Sequence, residues 1–221
     1  MLAKIPFPIL LAGMLSILPA SVVAGDSVDT PSAKSQQHIM TLAEVQRTLA
    51  SNNVIRGAFT QTRTMEMFSQ PLVSDGQFLL SKSQGLVWDQ VHPFPVQLVL
   101  TTDKLSQRIA NQAPQVVTAK ENPMAFYFSH VFLAVFHGDT KQLEQQFSLS
   151  FQPDPNHWTL TLEPNSAPLN SVFQNITLTG NTDIERVTLL EVRGDSTTIE
   201  FSQQSHQPDT LTNDEQAQFQ F

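Results

Sequence analysis

The sequence predicts an α+β protein: a long antiparallel meander, curled into a barrel or half-barrel, with an apolar helix laid across one face. Three observations predict this. From Val54 onward, apolar residues recur with period two in short runs separated by turn residues, at the roughly 8–12-residue spacing of an antiparallel meander. The middle segment 124–136 is apolar on nearly every side and is bounded by helix signals. The chain has no cysteine, so a meander this long must manage its strand edges by curling.

The elements follow in order. Met1–Ala24 reads as a secretory signal peptide. Lys4 supplies the positive start, Ile5–Leu18 the apolar core, and Val22-Val23-Ala24 the small residues before a cut at Gly25. Residues 25–39 read as a flexible leader, and 40–221 as a single domain. Thr41-Leu42-Ala43-Glu44 spells a capping box, with Leu42, Val45 and Leu49 at helical spacing behind it and Ser51-Asn52-Asn53 as the stop. Val54–Met65 alternates as a strand, with Thr60, Thr62 and Thr64 on one face and Phe59, Gln61 and Arg63 on the other. Asp75-Gly76 then predicts a turn before a strand at Gln77–Ser81. Further strands are expected at Leu86–Asp89, Val96–Thr101 and Leu105–Ile109.

Asn122 is a good N-cap, Pro123 suits the first helical position, and Gly138 suits a helix stop. The helix between them must be covered on two sides or must itself cover an apolar cavity. It is too short to span a bilayer. A polar helical stretch at Asp139–Gln146 follows. Strands resume at Phe147–Phe151, Trp158–Glu163, Ile176–Thr179, Arg186–Val192 and Thr197–Ser202, with a loop and helical turn over Pro164–Phe173. The polar tail ends in Phe219 and Phe221, which predict a last edge strand.

Composition excludes several classes. Twelve Lys and Arg face 20 Asp and Glu, a net charge of −8, with no basic run. Such a chain is a poor match for nucleic acid or for an anionic headgroup surface. Charged residues are only 14%, against an average near 25%. The absence of cysteine removes disulfides, thiolate metal sites, Cys nucleophiles and a lipidated N-terminal Cys.

Polar chemistry is sparse. The six histidines form no H-E-x-x-H, and His130 and His137 lack a carboxylate at ligand spacing, so no metal is expected. Gly25-Asp26-Ser27 and Gly194-Asp195-Ser196 spell the first block of GDS-type lipid hydrolases. The first abuts the cleavage site, and the second reads as a hairpin turn. Asp209 follows His206 where that chemistry needs the reverse order. Glu185 and Glu191 read as solvated charge. With no Gly-rich phosphate loop, no nucleotide or other cofactor is expected.

What stands out instead is apolar surface. Phe78 and Leu80, Leu86 and Trp88, Leu98 and Leu100 each share alternation parity, which predicts a stripe across one sheet face. The Phe-rich helix, with Phe126, Phe128, Phe132 and Phe136, is the natural cover. Either these groups fill an ordinary core, or they enclose a cavity for acyl chains.

Certain blocks carry a family resemblance. Arg56-Gly57-Ala58-Phe59-Thr60-Gln61-Thr62-Arg63, Asp75-Gly76-Gln77-Phe78-Leu79-Leu80, and Gly85-Leu86-Val87-Trp88 followed by His92-Pro93 resemble the N-terminal half of LolA, the periplasmic outer-membrane lipoprotein carrier family. Val187–Val192, Gly194-Asp195 and Thr197–Phe201 resemble its later strands. The resemblance implies an open, incomplete β-barrel closed by helices, a cavity for lipid acyl chains, no catalysis and no cofactor. It implies a periplasmic protein that takes lipoprotein or lipid cargo from an inner-membrane ABC-type donor to an outer-membrane acceptor, and the chain is expected to be a monomer. The cavity residues it implies are Leu49, Phe59, Phe78, Leu80, Leu86, Trp88, Leu98 and Leu100, with Phe126, Phe128, Phe132 and Phe136 in the lid.

One position departs from the family pattern. Where the family commonly has an Arg that latches the lid through backbone carbonyls, this chain has Lys82, followed by Ser83 in place of Pro. Lys lacks the planar guanidinium fork, so a weaker latch or none is expected. The sequence is similar to divergent LolA-like proteins that accompany lipid or polyene biosynthesis genes, which leaves both a lipoprotein and a different lipid open as cargo. A secreted GDS-type lipid hydrolase and a non-enzymatic periplasmic module with a filled core are the alternative readings.

Overall fold

The computed structural model describes residues 39–221. The predicted signal peptide, and the leader through His38, lie outside the described residues. Helix α1 (Leu42–Ser51) starts at the predicted capping box: the Thr41 N–H donates to Glu44 Oε2 at 2.8 Å, and the Glu44 N–H donates to Thr41 Oγ1 at 3.3 Å. Its buried stripe is Val45 and Leu49.

Six strands follow: β1 (Val54–Thr64), β2 (Leu72–Ser81), β3 (Gly85–His92), β4 (Val96–Leu100), β5 (Lys104–Ile109) and β6 (Gln115–Thr118). Helices α2 (Pro123–Phe136) and α3 (Thr140–Glu144) come next. Five more strands complete the sheet: β7 (Phe147–Pro153), β8 (Trp158–Pro164), β9 (Phe173–Gly180), β10 (Ile184–Glu191) and β11 (Ser196–Ser205), with a 3-10 turn at Leu169–Ser171. A short helix, α4 (Asn213–Ala217), ends the chain.

All eleven strands form one antiparallel sheet in the order β6-β5-β4-β3-β2-β1-β11-β10-β9-β8-β7. Each pair is adjacent in sequence except β1 with β11, which joins the two halves of the chain. The free edges, β6 and β7, are consecutive strands, and the chain between them is α2 and α3. The barrel is therefore open along one seam, and its longest helix is the connection across that seam.

The predicted stripe forms. Phe78, Trp88 and Leu98 are register partners across β2, β3 and β4, and Leu80, Leu86 and Leu100 make the next row. Leu79, Val87 and Val99 alternate with them, are also buried, and point to the opposite face. These central strands are thus buried on both faces, which is why Phe78-Leu79-Leu80 reads as a continuous apolar run.

Two expectations are corrected. Asp75-Gly76 is not a turn, because β2 runs straight through it and the reversal lies earlier, between Thr64 and Leu72. The glycine is needed for close approach instead: a Cβ there would lie 2.1 Å from the Asp89 carbonyl oxygen, where the β2–β3 register shifts. The tail does not add an edge strand. It leaves β11, which is flanked by β1 and β10 and offers no free edge. It forms α4 and buries Phe219 against Val54, Leu79, Val87 and Val99 on the convex face. Strand β6 is an element the alternation did not predict; it is four residues long, at an edge, with Val116 exposed.

Candidate functional site

The concave face of the sheet and α2 form the walls of a cavity of about 360 Å³ that opens to solvent. That is more than twice the ~150 Å³ apolar cavity that suffices for benzene. Both halves of the sheet build its wall. Strands β3 and β4 contribute Leu86, Trp88, Leu98 and Leu100. Strands β9, β10 and β11 contribute Phe173, Ile176, Val187, Leu189 and Ile199, and Leu169 comes from the 3-10 turn. Helix α2 supplies the roof through Val131, Phe132, Val135 and Phe136. Among the described residues, Gln61 of β1 is the one polar side chain on the wall.

Aromatic contacts seat the roof. The Trp88 indole stacks on Phe59 with ring centroids 3.6 Å apart. Phe201 of β11 meets Phe78 edge-on at 5.1 Å and Phe136 at 5.3 Å, and Phe132 lies 4.8 Å from Phe136. Such pairs contribute about 0.5–1.5 kcal/mol each beyond their area. Polar ties are few. The C-terminal end of α2 turns at Gly138, whose φ of +63° suits a residue without a Cβ. A Cβ there would also lie 2.7 Å from the Gln46 carbonyl oxygen of α1. Gln46 donates its side-chain amide to Thr140 Oγ1, so α1 and the roof meet at this junction.

The junction also holds His137. Burial pushes its pKa below the ordinary value; the nearby Lys82 charge adds to the shift, and Asp139 opposes it. Its buried Nε2 has no hydrogen-bond partner among the described residues. His130, by contrast, is exposed.

The structure sorts the sequence-predicted cavity residues. Leu86, Trp88, Leu98, Leu100, Phe132 and Phe136 stand on the wall. Leu49, Phe59, Phe78, Leu80 and Phe126 are buried in the surrounding core, behind that wall. Phe128 falls in α2, but its side chain is outside the described residues. Lys82 donates from Nζ to the carbonyl of Ala50 at 2.8 Å, and its backbone N–H bonds Asn53 O. It therefore ties the β2–β3 turn to the end of α1, and no bond from it to α2 is found among the described residues.

Sequence reasoning missed the wall residues from the 3-10 turn and from β9 to β11. Their alternation was visible in Ile176 with Leu178 and in Val187 with Leu189. What it did not carry was the β1–β11 pairing that brings those strands opposite β3 and β4.

The hydrolase-like triplet at Gly194 has a structural use. It lies in the β10–β11 turn, where the Asp195 carboxylate accepts from Arg63 Nη2 at 3.5 Å and from the Glu66 N–H at 3.3 Å. Arg63 also pairs with Glu191 at 2.8 Å, so this carboxylate is not merely solvated. Gly25-Asp26-Ser27 lies outside the described residues. Among the described helices, none is long and apolar enough to cross a membrane.

Residues 50–221 match the family model of the outer membrane lipoprotein carrier protein LolA. The chain belongs to the LolA family. Members of this family are periplasmic proteins that bind lipid or lipoprotein cargo, and they are generally not enzymes. No curated protein matches the chain in sequence. Similar solved structures include a LolA superfamily protein of Nitrosomonas europaea, 8% identical with a TM-score of 0.43, covering 79% of this chain and 96% of that one. A Vibrio parahaemolyticus domain named for outer-membrane lipoprotein sorting is 9% identical with a TM-score of 0.44, covering 80% of this chain and 95% of the other. The MucA/MucB complex of Pseudomonas aeruginosa is 15% identical with a TM-score of 0.36, over 81% of this chain and 59% of that one.

Proposed function

We propose that this LolA-family chain is a periplasmic carrier that shields the acyl chains of a lipoprotein or another lipid and delivers them toward the outer membrane. The observation that carries the reading is the apolar cavity beneath α2, whose described lining is hydrocarbon apart from Gln61. Burial of methylene groups is worth about 0.8 kcal/mol each, so a long acyl chain supplies ample affinity without a charged anchor. A roof whose described seat is apolar side chains with few polar ties suits a cargo that must be taken up and later released. The carrier works as a binding protein, without catalysis or cofactor. It acts as a monomer of one domain over residues 40–221, exported by cleavage after Ala24. An inner-membrane ABC-type donor and an outer-membrane acceptor are the partners this route requires.

Native mass spectrometry of the mature protein from the periplasm, followed by lipid extraction, tests the reading. A co-purifying lipidated peptide places it in lipoprotein sorting, and a free lipid makes it a carrier for that lipid. If no lipid is retained and an acyl probe also fails to bind, the carrier reading fails.

A further inference from the structure

Among the described residues, the hydrocarbon lining of the cavity is interrupted at one point, on β1. Phe59, Gln61 and Arg63 share a strand face, and successive members stand roughly 7 Å apart along it. They form a ladder of rising polarity. Phe59 is buried under Trp88, Gln61 opens onto the cavity, and Arg63 reaches the rim, where Glu191 and Asp195 hold it. The register partners of Gln61 are Ile199 on β11 and the buried Ser74 on β2. Among the described residues, the Gln61 side-chain amide has no hydrogen-bond partner. The side chain is half-buried and its amide is left open to the cavity, where a Leu or Met would have continued the hydrocarbon wall.

We propose that Gln61 is the polar anchor of the cavity, and that its amide hydrogen-bonds the carbonyl of an ester- or amide-linked acyl chain. The tail then runs along Trp88 and Leu98 toward Leu86 and Leu100, and the headgroup leaves past Arg63. This rests on the carrier reading and names its ligand class: neutral-linkage acyl lipids, such as glycerides or N-acyl peptides. A free carboxylate is disfavoured for two reasons. Gln61 is uncharged, so a carboxylate beside it would be buried without a counterion. The Arg63 guanidinium is already matched by two acids and attracts no further anion.

The test titrates wild type and Gln61→Met with monopalmitoylglycerol, in competition with the apolar dye N-phenylnaphthylamine. The anchor predicts that, taken relative to dye affinity in the same protein, monopalmitoylglycerol is bound about fivefold to tenfold more weakly by Gln61→Met. Palmitate should bind wild type more weakly than the glyceride at neutral pH. Infrared spectra of the bound, isotope-labelled ester give a reading on wild type alone: the carbonyl stretch should be shifted toward its hydrogen-bonded position. Equal glyceride affinity relative to dye in the two proteins, or a carbonyl stretch at its hydrocarbon position, overturns the anchor and leaves the carrier reading intact. Failure of wild type to bind either dye or glyceride overturns both.

Discussion

The two faces of one sheet are finished in opposite ways. On the concave face, α2 lies over a cavity that side chains do not fill, and its described seat is apolar, with Phe136 edge-on to Phe201 and Val131 and Val135 beside it. On the convex face, a patch of Val54, Leu79, Val87 and Val99 is sealed by Phe219 and Leu211 from the C-terminal tail. That seal is clamped by charge. Arg56 Nε donates to Glu215 Oε1 at 2.5 Å and Nη2 to Oε2 at 2.8 Å, while its other donors reach the carbonyls of Pro208 and Thr210. The same strands β1 to β4 serve both faces. A carrier needs one surface that gives way and a frame that does not, and the alternation of side chains along a strand supplies both at once.

The sharpest way to separate the two faces is to charge the cavity wall. Leu98→Glu places a carboxylate where cargo would lie, and in the empty protein that carboxylate can be hydrated through the cavity. Acyl-probe affinity should fall by at least about a hundredfold, with little change in thermal midpoint. Fluorescence titration and calorimetry on the same sample check it; equal damage to both would mean that Leu98 is ordinary core. The converse variant, Phe219→Ala, should cost about 3 kcal/mol of stability by denaturant unfolding and leave acyl affinity unchanged.

The clamp gives a smaller effect with a defined pH dependence. Hydrogen bonds from Arg56, helped by those from Thr212, hold the Glu215 carboxyl down to about 2. A carboxyl depressed in the folded state contributes stability that is fully present above its unfolded value near 4.5 and is lost as pH falls through about 2. The side-chain exposures of 20% for Arg56 and 19% for Glu215 set this pair apart from an ordinary surface ion pair. Glu215→Gln should cost about 1–2 kcal/mol at neutral pH. It should also remove the acid-induced release of the tail, followed by proteolytic cleavage after α4.

The two faces differed in legibility for a physical reason. The concave stripe was readable because β2 to β4 are neighbours in sequence and their parity carries into space. The convex patch was half readable. Leu79, Val87 and Val99 were present as unbroken apolar runs, but their cover comes from a tail with no period of its own. A signal did exist there: Thr212-Asn213-Asp214-Glu215 has the capping-box pattern read correctly at Thr41-Leu42-Ala43-Glu44, and it marks a helix where an edge strand was expected. The far wall of the cavity depends on the pairing of Arg63 with Thr197 and Gln61 with Ile199, contacts between distant parts of the chain that no local pattern encodes. The departure at Lys82 was visible, but its partner in α1 was not.

The smallest expected effect lies where the two finishes meet, at the junction of α1 with the end of the roof. His137 is half-buried there, near Lys82, and Asp139 only partly offsets that charge. Because burial lowers its pKa in the closed arrangement, an opened state binds the proton more readily. The stabilisation from neutral His137 is therefore fully present above its ordinary value near 6.5 and is lost as pH falls below that value. Amide hydrogen exchange in α2, corrected for its intrinsic pH dependence, should be faster at about pH 5.5 than at pH 7.5, while β2 and β3 stay protected. His137→Gln should flatten the difference, since glutamine does not titrate. A pH-independent α2 in wild type would show that protonation at this junction does not govern the roof, leaving its hold to the apolar packing of Val131, Val135 and Phe136 on the sheet.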